Sequence, residues 1–257
     1  MKKWILSIAV MAMFSGLTFG QLIDEKNVTI TMDLQPVLQL HMTTPDHIDF
    51  IFDDIRDYYA GITKYGATIL KVSSSVSWDL YAVGISQAGT RFWDQQIVYN
   101  GGSSTSASDN IPLSALELHQ RLPNAYSAGA AGGIAVDYSE PFQIIEENAG
   151  VYEAALPGQN SIYVHTDPYE RPAATQKYIQ GHHASGAANS APGGSYLTEV
   201  GMDSDYYFVI DYRILPGLPA IFPCAGTNIA AGSEVMANYA QSGVYTMNVK
   251  YVLLEDQ

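Results

Sequence analysis

Apolar and polar residues alternate with a period of two near both ends of the chain. Val28, Ile30, Met32 and Leu34 fall in one phase and Thr29, Thr31 and Asp33 in the other, and after Pro36 the first phase resumes with Leu38, Leu40 and Met42. Successive side chains on a strand project to opposite faces, so this spacing predicts one bent strand or two consecutive ones. Ile48, Phe50 and Phe52 form a third run, followed by a polar turn region from Asp53 to Gly66. Leu70, Val72, Val76, Trp78, Leu80 and Ala82 then share a face opposite Lys71, Ser73, Ser75, Ser77, Asp79 and Tyr81. That pattern predicts a long half-buried strand with a bulge or bend near the serines. Toward the other end, Tyr206, Phe208, Ile210, Tyr212 and Ile214 alternate with Asp211 and Arg213, and Tyr245, Met247, Val249, Tyr251 and Leu253 alternate with Thr246, Asn248 and Lys250. Both read as strands.

Between roughly residues 100 and 200 the alternation weakens. Residues 100–110, 127–133 and 181–195 are rich in Gly, Ala, Ser and Asn and read as loops or linkers. Residues 111–118 fit a strand or a short helix, with strand the better match, and 161–165 fit another short strand. The mature chain shows no sustained 3.6-residue periodicity and no repeat of fixed length. The predicted fold class is all-β: an antiparallel β-sandwich, Ig-like, whose core comes from 27–99 and 197–257 around a loop-rich insertion at 100–196.

The leader changes where this fold is expected to work. Lys2 and Lys3 precede an apolar run from Trp4 to Phe14, and Thr18-Phe19-Gly20 supplies small residues for cleavage, so residues 1–20 read as a secretory signal and 21–257 as a single exported domain. Two of the 12 basic residues lie in the leader, leaving ten against 26 acidic ones. That balance speaks against nucleic acid as a partner. Beyond the leader no apolar stretch reaches the roughly 20 residues that span a bilayer. The one cysteine, Cys224, excludes an intrachain disulfide and a cysteine-based zinc site, and a buried apolar thiol is its expected role.

Two aromatic-x-leucine triplets carry a family resemblance. Trp78-Asp79-Leu80 lies in one well-marked strand, and Tyr251-Val252-Leu253 closes the last one, six residues after Tyr245. The arrangement resembles the WxL-type surface domains of bacteria, in which a Trp-x-Leu in mid-domain is matched by a second near the end, preceded by a Tyr six positions upstream. Here Tyr251 stands where that family keeps Trp. The same end pattern also fits fimbrial subunits and related exported β-sandwich proteins. The resemblance implies a non-catalytic surface protein that attaches to a wall or to partner subunits. From strand geometry, Trp78 with Leu80 and Tyr251 with Leu253 are expected to pair inward as core.

Catalytic signatures are missing from the sequence: GxSxG, HExxH, P-loop and Rossmann glycines do not occur, and Ser108-Asp109-Asn110 lacks the motifs that would accompany it in penicillin-recognising enzymes. The expectation is therefore no enzyme and no cofactor. His182 and His183 sit in a Gly-rich stretch, and a solvated loop is their expected setting. Asp46, Asp49, Asp53, Asp54 and Asp57 crowd together, as do Asp203 and Asp205, without the spacing of a calcium loop; a solvated acidic face is expected, with structural calcium the alternative. Tyr is abundant, with 18 in the chain. Adjacent pairs such as Tyr206-Tyr207 must turn one ring outward on a strand, which makes Tyr81 and Tyr207 candidate contacts for a ligand or subunit. The expected function is that of an exported structural or adhesive protein, a filament or coat subunit that self-assembles or binds an envelope polymer. The alternative is a secreted carbohydrate- or cell-wall-binding module.

Overall fold

A computed structural model describes residues 24–99, 107–108, 110–121, 137–142, 160–172, 177–181, 193–197, 206–215 and 239–255. The leader, Cys224, His182, His183, Asp203 and Asp205 lie outside the described residues. The chain divides into two units, Met1–Gln35 and Pro36–Gln257.

In the first unit, residues 24–35 carry no helix or strand. Val28, Ile30, Met32 and Leu34 are 77–87% exposed. The expected strand at 28–34 is therefore corrected. A strand needs a neighbour to take its backbone hydrogen bonds, and among the described residues of its unit this segment has none. Its polar contacts are short-range, such as the Gln35 amide donating to Asp33 at 2.7 Å.

The second unit is mostly β. Its elements in chain order are β1 (Leu38–Met42), helix α1 (Ile55–Ala60), β2 (Ile62–Ser74), β3 (Trp78–Ile85), β4 (Asp94–Val98), β5 (Ala107–Ser108), β6 (Leu116–Arg121) and β7 (Tyr163–Val164). There follow β8 (Tyr178–Gln180), β9 (Gly194–Ser195), β10 (Tyr207–Ile214), β11 (Tyr239–Ala240), β12 (Gly243–Thr246) and β13 (Asn248–Glu255). The larger sheet runs β1-β2-β10-β6, with β9 also pairing β2. A second sheet runs β13-β3-β7, with β8 also on β3, and the pairs β12-β4 and β11-β5 complete the set. Pairing is antiparallel except for β3-β7 and β11-β5, and neither main sheet closes into a barrel.

Both sheets contribute to one core. Leu70 and Val72 of β2 and Phe208, Ile210 and Tyr212 of β10 cluster with Trp78, Leu80 and Ala82 of β3. Trp78 is fully buried and meets the Tyr206 ring edge-on at 4.9 Å. Each such side chain taken wholly from water contributes about 1.5–3 kcal/mol, which is how a fold can hold without a disulfide. A smaller cluster of Tyr81, Val83, Tyr178 and Val252 covers the opposite face of β3.

Several expectations change at this level. The long strand over 70–82 is two strands in different sheets, because the chain crosses between layers at Ser75–Ser77 while keeping its apolar phase. Ile48, Phe50 and Phe52 form no strand, although all three pack against the core. The turn region at 53–66 contains α1 and the start of β2. Asp54 accepts from the Arg56 N–H at 2.9 Å and Asp57 accepts from the Asp54 N–H at 3.3 Å, a reciprocal cap on the first helical turn. The strand expected over 245–253 breaks at Met247, leaving Tyr245 on β12 and Tyr251 on β13. Residues 113–115 form a 3₁₀ turn that leads into β6. That strand, with Tyr138, Ile162 and Ile179, places core inside the stretch read as a loop-rich insertion. No helix among the described residues is long and apolar enough to cross a membrane.

Candidate functional site

The larger sheet turns one face to the core and the other outward, and the outward face holds the polar chemistry. Lys71 on β2 stands opposite His41 of β1 on one side and Tyr207 of β10 on the other. Because the flanking Leu70 and Val72 point into the core, alternation turns Lys71 outward. Its ammonium lies 5.5 Å from the Tyr207 ring centre and 5.6 Å from that of Tyr196, within cation–π range. Tyr196 in turn stacks with His41, centres 6.4 Å apart and planes 13° apart. Tyr196 is held there by its N–H, which donates to the Val72 carbonyl at 3.2 Å. The adjoining row is Gln39, Ser73 and Ser195, with the two serine hydroxyls 2.8 Å apart.

Further along the same face lies a charged cluster. Two register positions on β10 answer four on β2 between Ile210 and Tyr212, and the irregularity spans Gly66, whose φ is +59°. Glycine meets that angle without the steric cost a Cβ would carry. The Gly66 N–H donates to the buried Asp211 carboxylate at 2.5 Å. Asp211 also accepts from Arg121 Nε at 3.0 Å and sits 3.3 Å from His119 Nδ1. Next to it, Arg213 Nε donates to Glu117 at 2.6 Å, and its guanidinium lies over the Phe142 ring at 4.6 Å. Burial pushes the Glu117 carboxyl up despite the downward pull of Arg213. The Tyr65 ring beside Arg121 is 72% exposed.

The residues singled out from the sequence divide cleanly. Trp78 and Leu80 are core, and Tyr251 and Leu253 pack against it, half-buried. The Tyr251 hydroxyl bonds that of Tyr212, which is 2.7 Å from Thr68 Oγ1. Burial beside Tyr212 holds the Tyr251 phenol well above its ordinary range. Tyr245 anchors β12, its hydroxyl donating to the Gln241 carbonyl at 2.6 Å.

Tyr81 is not an outward platform. It is fully buried beneath Tyr163 and Tyr178, donates to the Pro168 carbonyl at 3.1 Å, and burial pushes it up to about 12. The segment containing β7 and β8 covers it, and no period-two pattern announces such a cover. Tyr207 does face outward and is half-buried beside Lys71. His41 and Tyr196 were missed because the cross-strand register that joins them is invisible in a linear pattern.

The sheet edges form a second feature. Among the described residues no strand pairs with the outer side of β1 or of β13. Leu38 and Met42 on β1 stay 36% and 38% exposed. Of the acidic crowd near α1, Asp54 and Asp57 are engaged in capping and Asp49 lies 2.9 Å from His47. No group of three or more His, Cys, Asp or Glu side chains among the described residues is placed to hold a metal. No family model and no curated protein matches this chain.

Proposed function

We propose that the chain is an exported, non-catalytic structural or adhesive protein of the cell surface, a filament or coat subunit built on an Ig-like or WxL-like sandwich. In this reading residues 28–34 of one copy add as a strand to the open edge of β1 in the next. The supporting observation is the near-complete exposure of Val28, Ile30, Met32 and Leu34 in strict alternation. Burying these four side chains against a neighbour's edge would contribute about 1.5–3 kcal/mol each, to which a ladder of main-chain hydrogen bonds adds. The exposed Leu38 and Met42 on β1 supply an apolar counterpart, and an unpaired strand edge templates such addition.

The test compares the protein with and without residues 22–35 by analytical ultracentrifugation and electron microscopy. Concentration-dependent oligomers or fibres that vanish on deletion are expected. A strictly monomeric full-length protein at high concentration, or assembly that survives the deletion, refutes the proposal.

A further inference from the structure

We propose that the outer face of the larger sheet is a stacking platform for an uncharged polysaccharide, with the rings of His41, Tyr196 and Tyr207 and the ammonium of Lys71 as its contact row. The inference is independent of strand addition, which uses the edge of β1 and not this face.

Three features carry it. The first is alignment: His41, Lys71 and Tyr207 are direct cross-strand neighbours on three adjacent strands, so their row crosses about 10 Å of sheet at the usual strand spacing. Lys71 ties two of the rings together and His41 lies parallel to Tyr196. Aromatic side chains with few rotatable bonds offer contact area at low entropic cost. Pyranose rings present apolar C–H faces that suit such a surface.

The second is the company the row keeps. Its neighbour is the exposed Gln39, whose amide can exchange hydrogen bonds with sugar hydroxyls, beside Ser73 and Ser195, whose hydroxyls bond each other. The third is charge. Across both rows there is no carboxylate, in a chain with 26 acidic residues, and Lys71 is the only Lys or Arg. A polyanion would meet the field of a molecule with formal charge −14, whereas an uncharged polymer meets none.

The full chain is run by affinity electrophoresis in gels containing hydroxyethylcellulose, laminarin, xyloglucan or galactomannan, with polygalacturonate as the charged comparison. Retardation by at least one uncharged polymer is expected. Tyr207→Ala should weaken it roughly tenfold, the scale of losing one ring stack. Tyr207→Phe should stay within about twofold, because the ring remains. His41→Ala, at an exposed ring, gives a second reading should Tyr207→Ala lower the melting temperature. No retardation by any uncharged polymer, retardation by polygalacturonate alone, or binding untouched by both alanine variants overturns the proposal.

Discussion

The phenolic hydroxyls of Tyr212 and Tyr251 are hydrogen-bonded to each other across the core, joining β10 of the larger sheet to β13 of the second. Thr68 on β2 extends the chain, so three strands share one line of hydroxyls. A buried hydroxyl without a partner costs about 1–3 kcal/mol, and this line supplies the partners.

Tyr251→Phe should therefore lower stability by about 1 kcal/mol, read as a fall of about 2–4 °C in melting temperature. Tyr251→Trp, which installs the WxL-type residue, should cost about 1–3 kcal/mol through overpacking as well as the lost hydroxyl. An unchanged or raised melting temperature for the Trp variant would show that the position tolerates the larger ring.

Gln120 gives a prediction of opposite sign. It is buried on β6, and among the described residues neither side-chain amide atom has a hydrogen-bond partner. An unsatisfied buried polar group costs about 1–3 kcal/mol, so Gln120→Met, similar in volume and apolar, should raise the urea midpoint. A lowered midpoint with unchanged slope would place the amide in a role that its surroundings do not reveal.

The buried Glu117–Arg213 pair should behave as a unit. Arg213→Met or Glu117→Leu alone is expected to cost about 3–5 kcal/mol by stranding a charge, while the double variant recovers most of the loss. Chemical denaturation of all four proteins measures the coupling. Losses that simply add would mean that the two groups act separately.

Alkaline pH should loosen the fold. Burial pushes Tyr81 and Tyr178 up to about 12 and holds Tyr212 and Tyr251 above the usual phenol range. In the unfolded chain these groups ionise near pH 10, so above that the unfolded state sheds protons the folded state keeps. Their stabilisation is complete below about pH 10 and lost as the pH rises toward about 12 and beyond. Urea midpoints should stay level from about pH 8 to about 9.5 with respect to these groups, then fall. A midpoint that holds at about pH 11.5 would contradict this account.

The strands most legible in the sequence are those whose two faces meet different surroundings. In β10, Phe208, Ile210 and Tyr212 face the apolar core while Asp211 and Arg213 are buried on the opposite side in ion pairs, so the alternation of apolar and charged residues reads directly. On β3 the pattern misleads, because Asp79 and Tyr81 are as buried as Trp78 and Leu80. Asp79 tolerates burial through Arg171 at 3.2 Å, a partner 92 positions away that no local pattern reports. The switch between sheets at Ser75–Ser77 was hidden because Trp78 resumes the spacing of Leu70 and Val72. Six-residue α1 is too short to show helical periodicity, and its capping carboxylates resemble an acidic face. The platform row was half legible: Tyr207 follows from alternation, while His41 and Tyr196 depend on register.

β3 is flanked along its whole length by β13, with Trp78 opposite Glu255 and Ile85 opposite Asn248. Any chain delivered in order from its N-terminus therefore exposes one side of β3 until about 160 further residues have followed. Closing so long a loop adds little to the equilibrium cost, since that cost grows only logarithmically, but it makes completion of the second sheet a late and slow event. A nascent molecule of this kind keeps that side of β3 unpaired by β13 until residues 248–255 have emerged.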